Sequence, residues 1–231
     1  MADILLVNPC IANTVGVNNA TITPPLGLAY LAAVLEKDGH RAQIIDANIL
    51  GIPARKISRH LSFRPHLIGI SVNIISYQGG LAFARALKSI YPDVPLIFGG
   101  AYASSLADGI LKRNSFVDAV VCGEGETTIR EIRYNKEYPF LDVDGVVWRD
   151  EKRIVRNNPR ALISDLDELP FPAYHLLPDL RRYKTRKRGM RAGYVMTSRG
   201  CPSPCTFCNS SIFGKIWRPH SVDRVVEEIM F

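Results

Sequence analysis

The sequence predicts an α/β fold, a doubly wound parallel sheet with helices on both faces, and three observations point to it. Short, nearly continuous apolar runs recur through the first 135 or so residues, and longer segments of helical spacing separate them. Polar or glycine-rich segments follow each apolar run, as expected where strands buried on both faces hand over to helices. With 47% hydrophobic residues in 231 positions, the chain has enough apolar mass for one large or two modest domains.

Residues 4–8, Ile-Leu-Leu-Val-Asn, read as the first strand, followed by a loop rich in Asn, Thr and Gly that ends in Thr23-Pro-Pro-Leu-Gly27. A helix is expected over 28–38, with Leu28, Leu31, Ala32 and Leu35 on one face and Gly39 as its stop. Strands are expected at 42–46, 67–73, 96–100 and 119–122, and helices at 54–62, 80–90 and 103–112. The crossovers between parallel strands should be right-handed. Ligands of such sheets bind at the carboxyl ends of the strands, so the candidate binding segments are 8–27, 71–78, 99–104 and 123–126. Glycines in these segments let a ligand approach the backbone, although Gly99-Gly100 and Gly123-Glu-Gly125 would serve equally as ordinary strand-to-helix turns.

Beyond residue 135, segments 144–148 and 152–156 flank Arg149-Asp-Glu151 and read as a hairpin. The stretch 165–174 is acidic and broken by prolines, which predicts an extended linker with Asp165 and Asp167 facing solvent. A strand over 193–197 should open a second domain, and Ser221 should cap a helix over 222–231 with Val225, Val226 and Ile229 on its packed side. The expected division is a first domain over 1–135, a hairpin and linker over 136–190, and a second piece over 191–231.

Arg and Lys number 29 against 22 acidic residues, a net charge of +7, and Arg181, Arg182, Lys184, Arg186, Lys187, Arg188 and Arg191 crowd into eleven positions. Such a run attracts phosphates, but only Tyr183 interrupts it and no RNA-binding motif accompanies it, so it reads as a solvated linker rather than a nucleic-acid site. No stretch approaches the roughly 20 apolar residues of a membrane helix, and the short acidic start lacks a basic signal region. The expected location is the cytoplasm, where five cysteines favour metal binding over disulfides. Cys10 and Cys122 lie at apolar strand ends and read as small packing residues.

The strongest chemical signal is Cys201-Pro-Ser-Pro-Cys205-Thr-Phe-Cys208. Three thiolates can hold three corners of a 4Fe-4S cluster and leave the fourth iron open. The alternative is a zinc site completed by His220, although zinc ligands usually come as close pairs separated by a longer loop.

The spacing, the lead-in Arg199-Gly200-Cys201-Pro202 and Phe207 before the last cysteine resemble the radical S-adenosylmethionine enzymes. That resemblance implies Cys201, Cys205 and Cys208 as cluster ligands and Phe207 beside the adenine of S-adenosylmethionine. It also implies that the open iron chelates S-adenosylmethionine, whose reductive cleavage gives a radical able to take hydrogen from unactivated carbon. Thr23-Pro-Pro-Leu-Gly-Leu-Ala-Tyr-Leu, Ile70-Ser-Val, Phe98-Gly-Gly-Ala and Cys122-Gly-Glu-Gly-Glu resemble the cobalamin-binding domain that precedes the radical barrel in one class of these enzymes. Together the two resemblances span essentially the whole chain.

They imply a flavodoxin-like sheet of strand order 2-1-3-4-5, followed by the first strand-helix unit of a radical S-adenosylmethionine α/β barrel. Cobalamin contacts are implied at Thr23, Pro24, Pro25, Gly27, Ser71, Val72, Gly99, Gly100, Ala101, Gly123, Glu124 and Gly125. The D-x-H-x-x-G sequence of domains that ligate cobalt through histidine is replaced by Asn8-Pro-Cys-Ile-Ala-Asn13, which implies cobalamin bound without a protein histidine on cobalt. Asp38-Gly-His40 has part of that spacing but sits in a helix-to-strand turn at the opposite edge, so His40 reads as a surface turn residue.

The implied activity is that of a cobalamin-dependent methyltransferase or cyclase acting on a small-molecule substrate, fed by an electron donor such as flavodoxin or ferredoxin. With one strand-helix unit of the barrel present, the expectation is a shortened or split form with weak or no turnover alone, completed by a second chain. The competing readings are a cobalamin carrier or sensor without catalysis, and an RNA-modifying radical enzyme.

Overall fold

In the computed structural model, described over residues 1–11, 23–134, 136–184, 193–209 and 212–231, β1 (Asp3–Asn8) lies between β2 (Arg41–Asp46) and β3 (Leu67–Ser71). β4 (Leu96–Gly99) and β5 (Ala119–Val121) extend the sheet on the β3 side, and every pairing from β2 to β5 is parallel. The order β2-β1-β3-β4-β5 is the doubly wound arrangement expected from the sequence.

The sheet does not end at β5. The hairpin β6 (Val146–Asp150) and β7 (Arg153–Arg156) adds two antiparallel strands to it, with Val120 opposite Val147 and Trp148 opposite Val155. The expected division at residue 135 therefore does not coincide with an edge of the sheet.

Alternation along β1 explains why both faces need cover. Ile4 and Leu6 join the core on one side, while Leu5 and Val7 join the core on the other. Each such fully buried aliphatic side chain stabilises the fold by about 1.5–3 kcal/mol. On the first face lie α1 (Leu26–Lys37) and α6 (Glu126–Glu131), and on the second lie α3 (Tyr77–Ile90) and α5 (Ala107–Arg113). α1 ends at Asp38 and Gly39, whose φ of +78° suits glycine, and Asp38 receives a bidentate pair from Arg130 of α6 at 2.6 and 2.8 Å.

Several elements differ from the sequence expectation. Residues 54–60 form a 3-10 helix rather than an α-helix, and the helix expected over 103–112 is split into α4 (Ala101–Ser105) and α5 around Leu106. The short α2 (Ala47–Leu50), capped by Asp46, was not expected.

Segment 165–177 is a packed strap rather than a free linker. Leu166, Leu169, Ala173 and Leu177 are buried in the α1-side core, and the Ala173 N–H donates to the Ala29 carbonyl at 3.0 Å. Asp167 is not a free solvent-facing carboxylate either, for it accepts from Ser221 N at 3.1 Å and pairs with His220 Nδ1 at 2.9 Å. His40, in its turn, accepts from Ala2 N and stacks edge-on against Tyr134.

Past the strap, residues 193–197 form no strand. The ladder there is two residues long and antiparallel, β8 (Ser198–Arg199) against β9 (Arg218–Pro219). The closing helix α7 (Val222–Met230) is present and capped by Ser221, but its polarity is reversed. Arg224 and Glu228 are 8% and 5% exposed, whereas Val226, Ile229 and Phe231 are 52%, 64% and 78% exposed. Of the basic run, Arg181 pairs with Asp179 and Tyr183 is buried, while 185–192 lie outside the described residues. No helix among the described residues is long and apolar enough to cross a membrane.

Candidate functional site

A cavity of about 150 Å³ opens at the carboxyl edge of the parallel strands, where β1, β3, β4 and β5 end beneath α1. Its walls are apolar, from Leu6, Leu28, Leu31, Ile97, Val121 and Ile129, with glycine rims at Gly27, Gly69, Gly99, Gly100, Gly123 and Gly125. Strand order reverses between β1 and β3, so this is where a doubly wound sheet leaves a crevice.

Seven of the residues expected to touch cobalamin line this cavity together: Gly27, Ser71, Gly99, Gly100, Gly123, Glu124 and Gly125. The others sit behind or beside it. Pro25 precedes α1, Pro24 is buried, Thr23 is exposed, Val72 is buried under Gly100, and Ala101 begins α4. Gly100 is required by geometry. Its φ is +95°, and a Cβ there would lie 2.7 Å from the Val72 carbonyl oxygen.

The polar end of the cavity is formed by Glu124, Glu126, Arg199 and Met196. Glu124, Arg199 and Arg218 are among the most enclosed charges of the chain, with side chains 2%, 3% and 8% exposed. Arg218 forks onto Glu124 at 3.0 and 2.8 Å, Arg199 reaches Glu124 at 3.3 Å and Glu126 at 2.6 Å, and the Ile163 N–H adds a bond to Glu124 at 2.8 Å. Burial alone would raise the Glu124 pKa, but the Arg218 hydrogen bonds, the Ile163 N–H and the Arg199 charge outweigh it and hold the carboxyl below its usual range. Arg199 is likewise penalised by burial and compensated by Glu126 and Glu124, so its pKa lies above the ordinary arginine value. Its guanidinium also lies 5.4 Å from the Tyr30 ring centroid.

This network was missed from the sequence, apart from Glu124. The available signal was a Glu-Gly-Glu turn after a strand together with arginines bracketing the cysteine run. Buried arginines need carboxylate partners, and the Glu-Gly-Glu turn supplies two.

Cys201, Cys205 and Cys208 are free and exposed on the loop that β8 and β9 close. The Cys201 N–H donates to Gly214 O at 3.2 Å, the Cys208 N–H to Cys205 O at 3.1 Å, and Asn209 Nδ2 to Ser105 Oγ at 3.0 Å. Gly200 lets the loop fold back, since its φ is +83° and a Cβ would fall 2.0 Å from Ile216 O. Among the described residues, no three His, Cys, Asp or Glu side chains converge to hold a metal ion, so the three sulfurs share a loop without meeting at one point. His220 is held on Asp167 with its ring 1% exposed, while the three thiols are exposed. The donor set, three accessible thiols within eight residues, fits an iron–sulfur cluster with one open iron. Phe207 is exposed beside them. Cys10 and Cys122 are half-buried, and burial raises both thiols above their usual pKa.

α7 docks by its polar face. Glu228 accepts from the Tyr174 hydroxyl at 2.6 Å, from Arg224 at 3.0 Å and from the Tyr30 hydroxyl at 3.4 Å, while Arg224 lies 3.8 Å from the Phe171 ring centroid. Burial and then Glu228 push the Tyr30 hydroxyl up to about 12. A second, more polar cavity of about 300 Å³ lies on the other side of Gly123 and Glu124, bordered by Ser104, Arg156 and Arg160. Both arginines are already paired, with Asp108 and Glu131.

Residues 12–133 match the family model described as the B12 binding domain. An uncharacterized methyltransferase of Pyrococcus horikoshii is 36% identical over 98% of this chain and 49% of its own length. The anaerobic magnesium-protoporphyrin IX monomethyl ester cyclase of Synechocystis sp. is 27% identical over 90% of this chain and 42% of its own length. The chain thus spans about half the length of the curated relatives it matches. In fold it is similar to OxsB, a cobalamin-dependent S-adenosylmethionine radical enzyme solved with aqua-cobalamin and S-adenosylmethionine bound. That likeness has a TM-score of 0.77 and 24% identity, covering 100% of this chain and 31% of that one.

Proposed function

This chain belongs to the cobalamin-binding-domain family of radical S-adenosylmethionine enzymes, and from that premise we propose that it carries a corrinoid in its apolar cavity and a 4Fe-4S cluster on Cys201, Cys205 and Cys208, for methyl transfer or cyclisation on a small-molecule substrate. When bound, the cluster and the corrinoid supply one-electron cleavage of S-adenosylmethionine and carriage of a methyl group. The chain's own residues bind and orient.

Leu6, Leu28, Leu31 and Val121 offer the dry surface that a flat aromatic base of a nucleotide tail needs, and Gly99 and Gly100 let that tail approach the protein backbone closely. The sequence of the loop after β1 holds no histidine, which fits a corrinoid held without a protein histidine on cobalt. Exposed Phe207 is free to cover an adenine. Electron delivery from a flavodoxin- or ferredoxin-like donor, and completion of the substrate walls by further barrel strands, are part of this proposal.

The observation that carries the reading is the position of Arg199, which lines the cavity and stands two residues before Cys201. On this reading the two cofactor sites are neighbours, joined through Arg199. Anaerobic reconstitution with ferrous iron, sulfide and hydroxocobalamin should give a broad brown absorption band together with corrinoid features, and Cys205→Ala should remove the first while sparing the second. A colourless, zinc-containing protein would overturn the proposal, and corrinoid binding with no iron–sulfur band would favour a carrier or sensor instead. Incubation with S-adenosylmethionine and a strong reductant should then release 5′-deoxyadenosine, slowly if the remaining barrel strands are needed.

A further inference from the structure

Arg199 and Arg218 are direct partners in the β8–β9 ladder. Like charges opposed across an antiparallel pair repel, and here both are removed from solvent, where repulsion is screened least. Glu126 takes Arg199 at 2.6 Å, and Glu124 is the carboxylate that bridges both arginines. Glu124 Oε1 accepts from Arg199 Nη1 and Arg218 Nη2, and Oε2 accepts from Arg218 Nη1 and the Ile163 N–H. Four donors on two oxygens fill the acceptor capacity of a carboxylate, so Glu124 has none left for a ligand in the cavity it lines.

The ladder it permits is two residues long and is what closes the loop carrying all three cysteines. Arg218 extends the grip to the loop itself by donating to the Phe213 carbonyl at 2.9 Å, and to the segment before the strap through the Ile163 carbonyl. Phe213 in turn lines the cavity.

We propose that Glu124 is a positioning residue that closes the cysteine loop by neutralising the opposed pair Arg199 and Arg218, and so fixes the height of the cluster ligands above the corrinoid cavity. The loop-closing claim stands on the geometry alone, and its meaning for the cofactors rests on the function proposed above. The carboxylate works through the arginines and touches no reacting atom.

The test is a double-mutant cycle on the full, metal-free chain, read by amide hydrogen exchange, so that its outcome does not depend on a cluster forming. Glu124→Gln keeps the shape and removes the charge. Losing charged hydrogen bonds of this kind should speed exchange at the amides of Cys201 and His220 by about 10- to 100-fold, with β1 to β4 amides unchanged. Glu124→Gln combined with Arg218→Gln removes the repulsion as well, and exchange should return most of the way to the unaltered level. Loop exchange unchanged in Glu124→Gln overturns the proposal, as does a double variant as loose as the sum of the two singles. Should Glu124→Gln fail to fold, recovery of folding in the double variant is required, and its absence is equally fatal. A second readout is iron retained after reconstitution with ferrous iron and sulfide. Restored loop exchange with no iron bound in the unaltered chain would refute the cluster reading and leave the clasp standing.

Discussion

The Tyr183 hydroxyl lies 2.7 Å from Asp46 Oδ2, joining the segment after the strap to the carboxyl end of β2, with neither residue reaching solvent. Asn8 completes the cluster from β1 at 2.8 Å. Burial raises the Asp46 pKa, and the bonds from Tyr183 and Asn8 recover part of that cost. A carboxyl whose pKa is raised on folding favours the folded state most below its unfolded value, near 4, and this contribution fades as pH rises through the raised value. The urea stability of the unaltered chain relative to Asp46→Asn should therefore fall with rising pH across that window. A difference that stays flat, or rises, sinks the assignment.

Glu228 holds the inner face of α7 through Tyr174, Arg224 and Tyr30. Glu228→Gln should cost about 1–3 kcal/mol in urea unfolding, because the Arg224 charge loses its buried partner. Val226→Gln, on the exposed face, should stay within about 0.5 kcal/mol. Reversal of that ranking would mean that α7 packs by its apolar side.

Two glycines of the cavity should separate folding from binding. A Cβ at Gly100 would strike the Val72 carbonyl, so Gly100→Ala should lower stability by about 1–3 kcal/mol. At Gly27, in the first turn of α1, a Cβ would meet nothing within 4 Å. Gly27→Ala should leave stability level or raise it by up to about 1 kcal/mol while its methyl narrows the cavity and weakens hydroxocobalamin binding. Isothermal titration beside thermal melts would read both, and unchanged hydroxocobalamin affinity in Gly27→Ala would move the corrinoid elsewhere.

Exposure divides the five thiols into two groups. An aromatic disulfide reagent on the native, reduced chain should titrate Cys201, Cys205 and Cys208 rapidly, with Cys10 and Cys122 following slowly because burial keeps them protonated. Reconstitution with iron and sulfide should protect the three fast thiols together, and protection of only one or two would contradict their joint use.

The parallel core was legible because its information is local. Ile4 to Val7, Leu67 to Ile70 and Leu96 to Phe98 are apolar without interruption, as strands buried on both faces must be, and the polar residues after them mark the edge where the cavity opens. What escaped depends on partners far away in sequence. The valines and isoleucine of α7 marked the face to bury, yet Tyr30 and Tyr174 offer hydroxyls that suit Glu228 and Arg224 better. The prolines of 165–174 signalled a linker, while Leu166 and Leu169 just before them are anchored in the α1-side core. Nor could spacing disclose that Arg199 and Arg218, nineteen positions apart, converge on one carboxylate of the turn after β5.

The inverted α7 has a practical corollary. A terminal turn that shows Ile229, Met230 and Phe231 to water is adhesive in proportion to how strongly the solvent expels hydrocarbon. Ammonium sulfate should drive molecules of this chain onto one another at lower concentration than sodium chloride does, and a mild detergent should disperse them again. Handling of the purified chain would then be governed by one greasy stripe, whatever its net charge.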